Sequence, residues 1–374
     1  MKLDGVRVLD LSLFLPGPML TLMMADHGAD VIKVEPAGEG EPTRNLGAEK
    51  NGAAVWFRNT HRGKRSIQLD LKAQAGQAAF WALARDADVL IEAFRPGVVD
   101  RLGVGYDAVR AVNPRIVYCS ISAFGQDGRY RVRPAHDLAV QALAGMVAQT
   151  EGFDGKPAPP GMAAADALSS LTALSGVLMA LLRARETGVG DYVDVAMLDS
   201  LLAWTPNLTS RMFATGEPLI PKHERSFGGQ AMNAIYETSD GQWIVLGGSE
   251  MKFARNLLEG LGRLDLLDYA DLPPGPGQDP LRAFFRETFK TRTRAAWEMW
   301  FDGRDVCFAP VRTLKEAFDD PAAREREMIA FDEDGSEIVG TPIKFREEPA
   351  RIDPRLPRLN EHHGACWGRS PIAD

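Results

Sequence analysis

Compact runs of β-branched and leucine residues alternate along this chain with longer stretches whose apolar side chains recur every three or four positions. Val6-Arg7-Val8-Leu9-Asp10-Leu11 has the character of a strand buried in a parallel sheet. Pro16-Gly17-Pro18 then opens a helix, since proline suits a first turn where its missing N–H is not needed, and Gly28 closes it. The next strand is Asp30 to Glu35. The rhythm repeats with a helix over 72–87, a strand over 88–94, a helix over 98–112 and a strand over 115–122. Strands separated by helices predict an α/β fold with a parallel sheet under helical layers.

The clearest helix is 163–187. Leu168, Leu171, Leu174, Leu178, Leu181 and Leu182 recur at helical spacing, and Gly188 supplies the left-handed stop. It is apolar on most sides as far as Arg183, which predicts a place deep in the protein or at a subunit contact. Beyond Asp199 the pattern changes. Residues 205–230, with Pro206, Pro218, Pro221 and Gly228-Gly229, read as irregular. Strands over 234–238 and 242–247 follow, joined by Ser239-Asp240-Gly241, then helices over 251–262 and 280–303. This predicts a large Rossmann-like domain over 1–200, a smaller α+β domain over 215–325, and a C-terminal segment, 326–374, whose proline-rich part runs extended over another surface.

A chain of 374 residues suits about two domains. Hydrophobic residues at 45% and charged residues at 25% fit a soluble globular protein. With 43 basic against 51 acidic residues, the net charge of −8 argues against non-specific nucleic-acid binding. An anionic ligand would need a local basic cluster. Cys119, Cys307 and Cys366 show neither metal-ligand spacing nor a disulfide framework, which suits a reducing cytoplasm and predicts no metal. The apolar stretch 11–24 is broken by prolines and flanked by Asp10 and Asp26, unlike a signal peptide, and no other stretch reads as a membrane span. The glycine pattern of a dinucleotide fold is missing after the first strand, which disfavours a nicotinamide cofactor.

Three acid/base candidates emerge. Asp166 falls in the first turn of the 163–187 helix, where it reads either as a helix-capping carboxylate or as a base beside free N–H groups that hold an enolate oxygen. His136 follows the loop Phe124-Gly125-Gln126-Asp127-Gly128 at the end of a predicted parallel strand, where α/β sheets bind ligands. By itself it also reads as a packed, hydrogen-bonded histidine. Glu250, in Gly247-Gly248-Ser249-Glu250, reads alone as an acid at a helix start. Arg58, Arg62, Lys64, Arg65, Lys72, Arg95 and Arg101 form a basic cluster that reads either as a nucleotide-phosphate site or as a solvated face.

Segments along the whole chain resemble the class III CoA-transferase and α-methylacyl-CoA racemase superfamily (CaiB/BaiF). They are VRVLDLSLFLPGP, GADVIKVE, HRGKRSIQLDLK, EAFRPGVVDRLGVG, FGQDGRYRVRPAHD, TGVGDYVDVAMLDS and IYETSDGQWIVLGG, in that order. The resemblance implies an interlocked homodimer in which the C-terminus of each chain returns to the large domain. It implies an acyl-CoA thioester as substrate, with no cofactor beyond coenzyme A. CoA contacts would fall on Leu69, Lys72, Arg95 and Arg101, and Arg62 or Arg44 would replace a basic residue missing at Pro36. Transferase members carry glutamine where this chain has Leu15 and tyrosine where it has His136. Racemases carry a histidine followed by aspartate, an aspartate matching Asp166, and a glutamate in the spacing of Gly247, Glu250 and Phe253. The resemblance therefore implies a 2-methylacyl-CoA racemase in which His136 and Asp166 exchange the α-proton and Glu250 orients His136. The other branch of the superfamily implies a CoA-transferase with Asp166 as nucleophile.

Overall fold

The computed structural model describes residues 1–152 and 154–367, so the last part of the predicted C-terminal segment, 368–374, lies outside the described residues. The chain forms two units. The first comprises Met1–Ala144, Pro160–Trp204 and the chain from Phe318 onward; the second comprises Gly145–Pro159 and Thr205–Ala317. The second unit therefore begins before residue 215 and ends before 325. It also takes in a stretch near residue 150, where Glu151 lies 3.5 Å from Lys222.

The first unit is built on a six-stranded sheet. Its strands are β1 (Arg7–Asp10), β2 (Asp30–Glu35), β3 (Arg65–Gln68), β4 (Val89–Glu92), β5 (Val117–Ser122) and β6 (Tyr192–Ala196). They lie in the order β3-β2-β1-β4-β5-β6, every pair parallel. Alternate residues feed two cores. Val8, Val31, Ile91 and Cys119 face Leu20, Met24, Ala173 and Val177. Leu9, Ile32, Leu90 and Tyr118 face Phe80, Leu83 and Val109. Burial on both faces explains why Val, Leu and Ile dominate these positions, with the charged Asp10, Lys33 and Glu35 buried among them as ion pairs. The order reverses between β1 and β4, so their carboxyl ends flank the crevice where such sheets take ligands.

Helix boundaries depart from expectation where backbone geometry intervenes. The predicted 98–112 helix is two, Val98–Arg101 and Tyr106–Val112. Gly103 adopts φ 70° between them, and a Cβ on Gly105 would fall 2.1 Å from the Asp100 carboxylate. The predicted 280–303 helix divides into Asp279–Phe289 and Arg294–Phe301, the second capped afresh by Thr293. Part of the stretch read as irregular is helical, Pro206–Thr215, with proline at its start and Gly216 in the left-handed conformation after it. Helix Ala164–Thr187 is long and apolar enough to cross a membrane by length and composition. Only one side of it is buried, against the sheet through Ala173, Leu174, Val177 and Leu181; Leu171, Met179 and Leu182 are exposed. In the second unit, β7 (Asn233–Glu237), β8 (Trp243–Gly247) and β9 (Phe308–Pro310) form an antiparallel sheet with β8 in the middle. Tyr236, Ile244, Phe285, Phe289 and Trp297 fill its core.

A buried charge network underlies the carboxyl ends of β1 and β2. Lys64 Nζ lies 3.3 Å from Asp10 Oδ2 and donates to Thr21 Oγ1 at 2.8 Å and Pro18 O at 2.9 Å. Lys33 Nζ is 3.6 Å from both Asp10 Oδ1 and Glu41 Oε2. Burial by itself raises the Asp10 carboxyl, but Lys33, Lys64 and the hydroxyls of Ser12 and Thr21 outweigh it and bring the pKa to about 2. Burial lowers Lys64 to about 8 against the pull of Asp10. The pair is therefore ionised at neutral pH. Removing Lys64 leaves the buried Asp10 with Lys33 as its one remaining cation, a loss of at most about 3–5 kcal/mol. Lys64→Met is accordingly expected to unfold at a clearly lower urea concentration than the parent, followed by circular dichroism.

Candidate active site

After β5 the chain runs to Pro134 and turns into a short helix, Asp137–Leu143, with His136 at its N-cap in an extended conformation. The His136 ring is exposed and meets Phe14 edge to face, centroids 6.1 Å apart. Phe14 lies in the loop after β1 with φ 64°, a conformation that costs a bulky side chain about 1–3 kcal/mol. Its N–H donates to the buried Glu41 carboxylate at 2.9 Å.

Asp137, next to His136, ties this helix to the long one. Its Oδ1 accepts the N–H groups of Ala165 (2.8 Å) and Asp166 (3.2 Å), and its Oδ2 accepts Gln141 Nε2 at 2.6 Å. The helix Ala164–Thr187 has no side-chain cap from its own N-cap residue, Ala163, so Asp137 takes that role. This corrects two readings. Asp166 is not the capping carboxylate, and the first-turn N–H groups are not free for an enolate oxygen. Ala164 N–H donates to Met162 O, Ala167 N–H to Ala163 O, and the two between them to Asp137.

Asp166 itself is half-buried. Burial, and then the neighbouring Asp137 charge, push its carboxyl from the ordinary aspartate range up to about 7. The helix N-terminus favours the charged form, but desolvation and the like charge win. The first unit thus brings His136, Asp137 and Asp166 together at adjoining helix starts. Glu250 stands in the second unit, exposed, at the N-cap of helix Met251–Gly260.

The basic cluster divides. Arg62 is not available as a substitute CoA contact, because its buried guanidinium pairs with Asp26 and donates to Val339 O at 3.0 Å. Arg44 is likewise engaged, with Nε and Nη2 each 2.7 Å from Glu35 and Nη1 donating to Pro357 O. Arg58 pairs with Asp332, and Arg65 with Asp30 at 2.6 Å. The β1 and β2 strands carry the buried acids Asp10, Asp30 and Glu35, which Lys64, Arg65 and Arg44 answer. Lys72, Arg95 and Arg101 are exposed, and Leu69 is half-buried just beyond β3. Arg95 and Arg101 follow β4 at the crevice.

Two participants went unread in the sequence. At Gly97 an added Cβ would meet Arg101 Nη1 at 3.4 Å and Arg131 Nη2 at 3.9 Å, so two guanidinium groups converge there. The alternating arginines of GRYRVR were the available signal. Glu92, at the end of β4, accepts Phe94 N–H at 2.8 Å and a short bond from Ser120 Oγ, fixing the start of the loop that holds Arg95. Burial raises its carboxyl to about 7.

A parallel α/β unit with exposed arginines at its switch point has the form in which such sheets bind anionic ligands. The match to known proteins makes the class specific: residues 3–363 fit the model of CoA-transferase family III, and the chain belongs to that family. The succinate–glutarate CoA-transferase of Agrobacterium fabrum is 32% identical, covering 96% of this chain and 93% of its own length. The α-methylacyl-CoA racemase of Homo sapiens is also 32% identical, covering 97% and 91%. The crystal structure of a CAIB/BAIF family protein from Brucella suis matches with a TM-score of 0.84 and 31% identity over 97% of both chains.

Because the Asp166 carboxyl is raised on folding, the folded state binds more protons, and the stability linked to that proton is lost as pH rises through about 7. Asp166→Asn is expected to melt higher than the parent at pH of about 8, by on the order of 2 kcal/mol after solvent screening, with the gap closing towards pH of about 4. Thermal melts across that range measure it.

Proposed function

We propose that this protein is a racemase or epimerase that inverts the α-carbon of 2-methylacyl-CoA thioesters by proton transfer through an enolate. The observation that carries this reading is the pairing of His136 and Asp166 at helix starts joined by Asp137, with the Asp166 carboxyl at about 7. Inversion needs one group to remove the α-proton from one face while another returns a proton to the opposite face. A carboxyl that titrates where imidazoles ordinarily do supplies both forms near neutral pH, so either enantiomer finds an enzyme in the right state. Asp137, held by two backbone N–H groups and Gln141, stays a structural carboxylate. Lys72, Arg95, Arg101 and Arg131 bind the CoA phosphates, Leu69 packs against the CoA moiety, and coenzyme A enters only as part of the substrate. Two chains associate as interlocked rings, a reading supported by the exposed Leu171, Met179 and Leu182 of the long helix.

The likeness to a succinate–glutarate CoA-transferase favours a second reading. There the Asp166 carboxylate attacks the thioester carbonyl and expels the CoA thiolate, leaving a mixed anhydride. The thiolate then attacks the Asp166 carbonyl, releasing the donor carboxylate and leaving an Asp166–CoA thioester. An acceptor carboxylate takes CoA from it by the same two steps in reverse. A partly protonated Asp166 makes a weaker nucleophile at neutral pH, which weighs towards proton transfer.

Incubation with (S)-2-methylacyl-CoA in heavy water, followed by NMR, is expected to show deuterium entering the α-position with inversion, and the exchange is expected to vanish in His136→Ala. Absence of exchange, with CoA transfer to an added carboxylate and a hydroxylamine-trapped acyl-Asp166, would overturn the reading. Arg131→Ala is expected to raise KM for the acyl-CoA about tenfold with little change in kcat, as loss of one charged hydrogen bond to phosphate does.

A further inference from the structure

We propose that Glu41 is a positioning residue for His136, acting through the backbone and ring of Phe14; this rests on the reading of His136 as an acid/base group. The loop between β1 and helix Pro16–Asp26 is pinned along its length. Ser12 N–H and Oγ donate to Asp10 Oδ1 at 2.9 and 2.5 Å. Ser170, on the same helix as Asp166, donates from Oγ to Pro16 O at 2.7 Å. Between these anchors Phe14 is left-handed at φ 64°, where L side chains rarely settle unless something holds them. The holder is Glu41, whose Oε1 accepts Phe14 N–H at 2.9 Å from a position 27 residues further along the chain.

Glu41 is itself oriented from both sides. Oε1 also accepts Thr43 Oγ1 at 3.1 Å, and Oε2 lies 3.6 Å from the buried Lys33 Nζ. The Glu41 N–H donates to Glu35 Oε2 at 2.8 Å. The side chain has no exposed surface, so it reaches no ligand and acts only through Phe14. What Phe14 presents outward is its ring, set edge-on to the His136 imidazole with planes at 84°. The same loop is thus tied to the helix of Asp166 through Ser170 and touches His136 through Phe14, which sets the two groups against one frame. Displacing a reacting group by roughly an ångström costs on the order of 100-fold in rate.

Three variants test this. Phe14→Gly removes the ring and relieves the backbone strain, Glu41→Leu removes the acceptor, and Glu41→Gln keeps an acceptor oxygen. Phe14→Gly is expected to melt no lower than the parent, yet to lose about 10- to 100-fold in kcat for α-proton exchange with KM for the acyl-CoA little changed. Glu41→Leu, which also strips the buried Lys33 of a partner and so melts lower, should lose kcat to a like extent, and Glu41→Gln should recover most of that loss. The His136 Cε1–H signal, assigned by its disappearance in His136→Gln, should shift in Phe14→Gly and Glu41→Leu. That signal needs no turnover, so a parent protein without proton exchange would sink the racemase reading and leave the positioning role to be decided by NMR. Phe14→Gly with parental kcat and an unmoved His136 signal would overturn the proposal, whether or not Glu41→Leu folds.

Discussion

The Asp137 carboxylate closes the first turn of the long helix, and the chemistry of the site follows from that bond. A helix beginning Ala163-Ala164-Ala165 has no side chain of its own to satisfy its first N–H groups, so an acceptor must come from elsewhere. By supplying it, Asp137 fixes His136 one residue away and brings a fixed negative charge beside Asp166. The half-buried Asp166 then finds its ionised form opposed by desolvation and by a like charge. A cap that stabilises a helix therefore also sets the proton affinity of its neighbour.

The same economy governs the basic residues. An acidic protein that binds an anion must keep some cations free of internal partners. Here the division follows position on the sheet. Cations around β2, β3 and the helix between them neutralise buried acids: Lys64 and Lys33 with Asp10, Arg44 with Glu35, Arg62 with Asp26. Those beyond the carboxyl end of β4 and in the loop after β5 face outward, where the reversal of strand order opens a crevice. Charge in the first group is spent inside the fold, and charge in the second faces outward.

The relatives of this chain in CoA-transferase family III include proteins named for CoA transfer and for racemisation, and CoA figures in both names. The two proposed readings differ in what the Asp166 carboxyl does: it holds a proton, or it attacks a carbonyl. Proton affinity near neutrality suits the first use better than the second.

The fold class was legible because strands buried on both faces carry apolar residues on each, as Val6, Val8, Leu9 and Leu11 and then Val31, Ile32 and Val34 do. β3 escaped notice because Arg65-Ser66-Ile67-Gln68 is mostly polar and gains its strand conformation from the β2 ladder. His136 and Asp166 could be singled out by their place beside predicted elements. Their surroundings could not, because Asp137 caps a helix 28 residues away and Glu41 holds a residue 27 away. Whether Arg62 and Arg44 were ligand contacts or internal partners was equally invisible, since both answers use the same residue type. Local pattern and residue chemistry determined the elements and the candidate acids and bases. Tertiary structure decided which charges are spent on one another, because burial and hydrogen bonding depend on distances that sequence spacing does not encode.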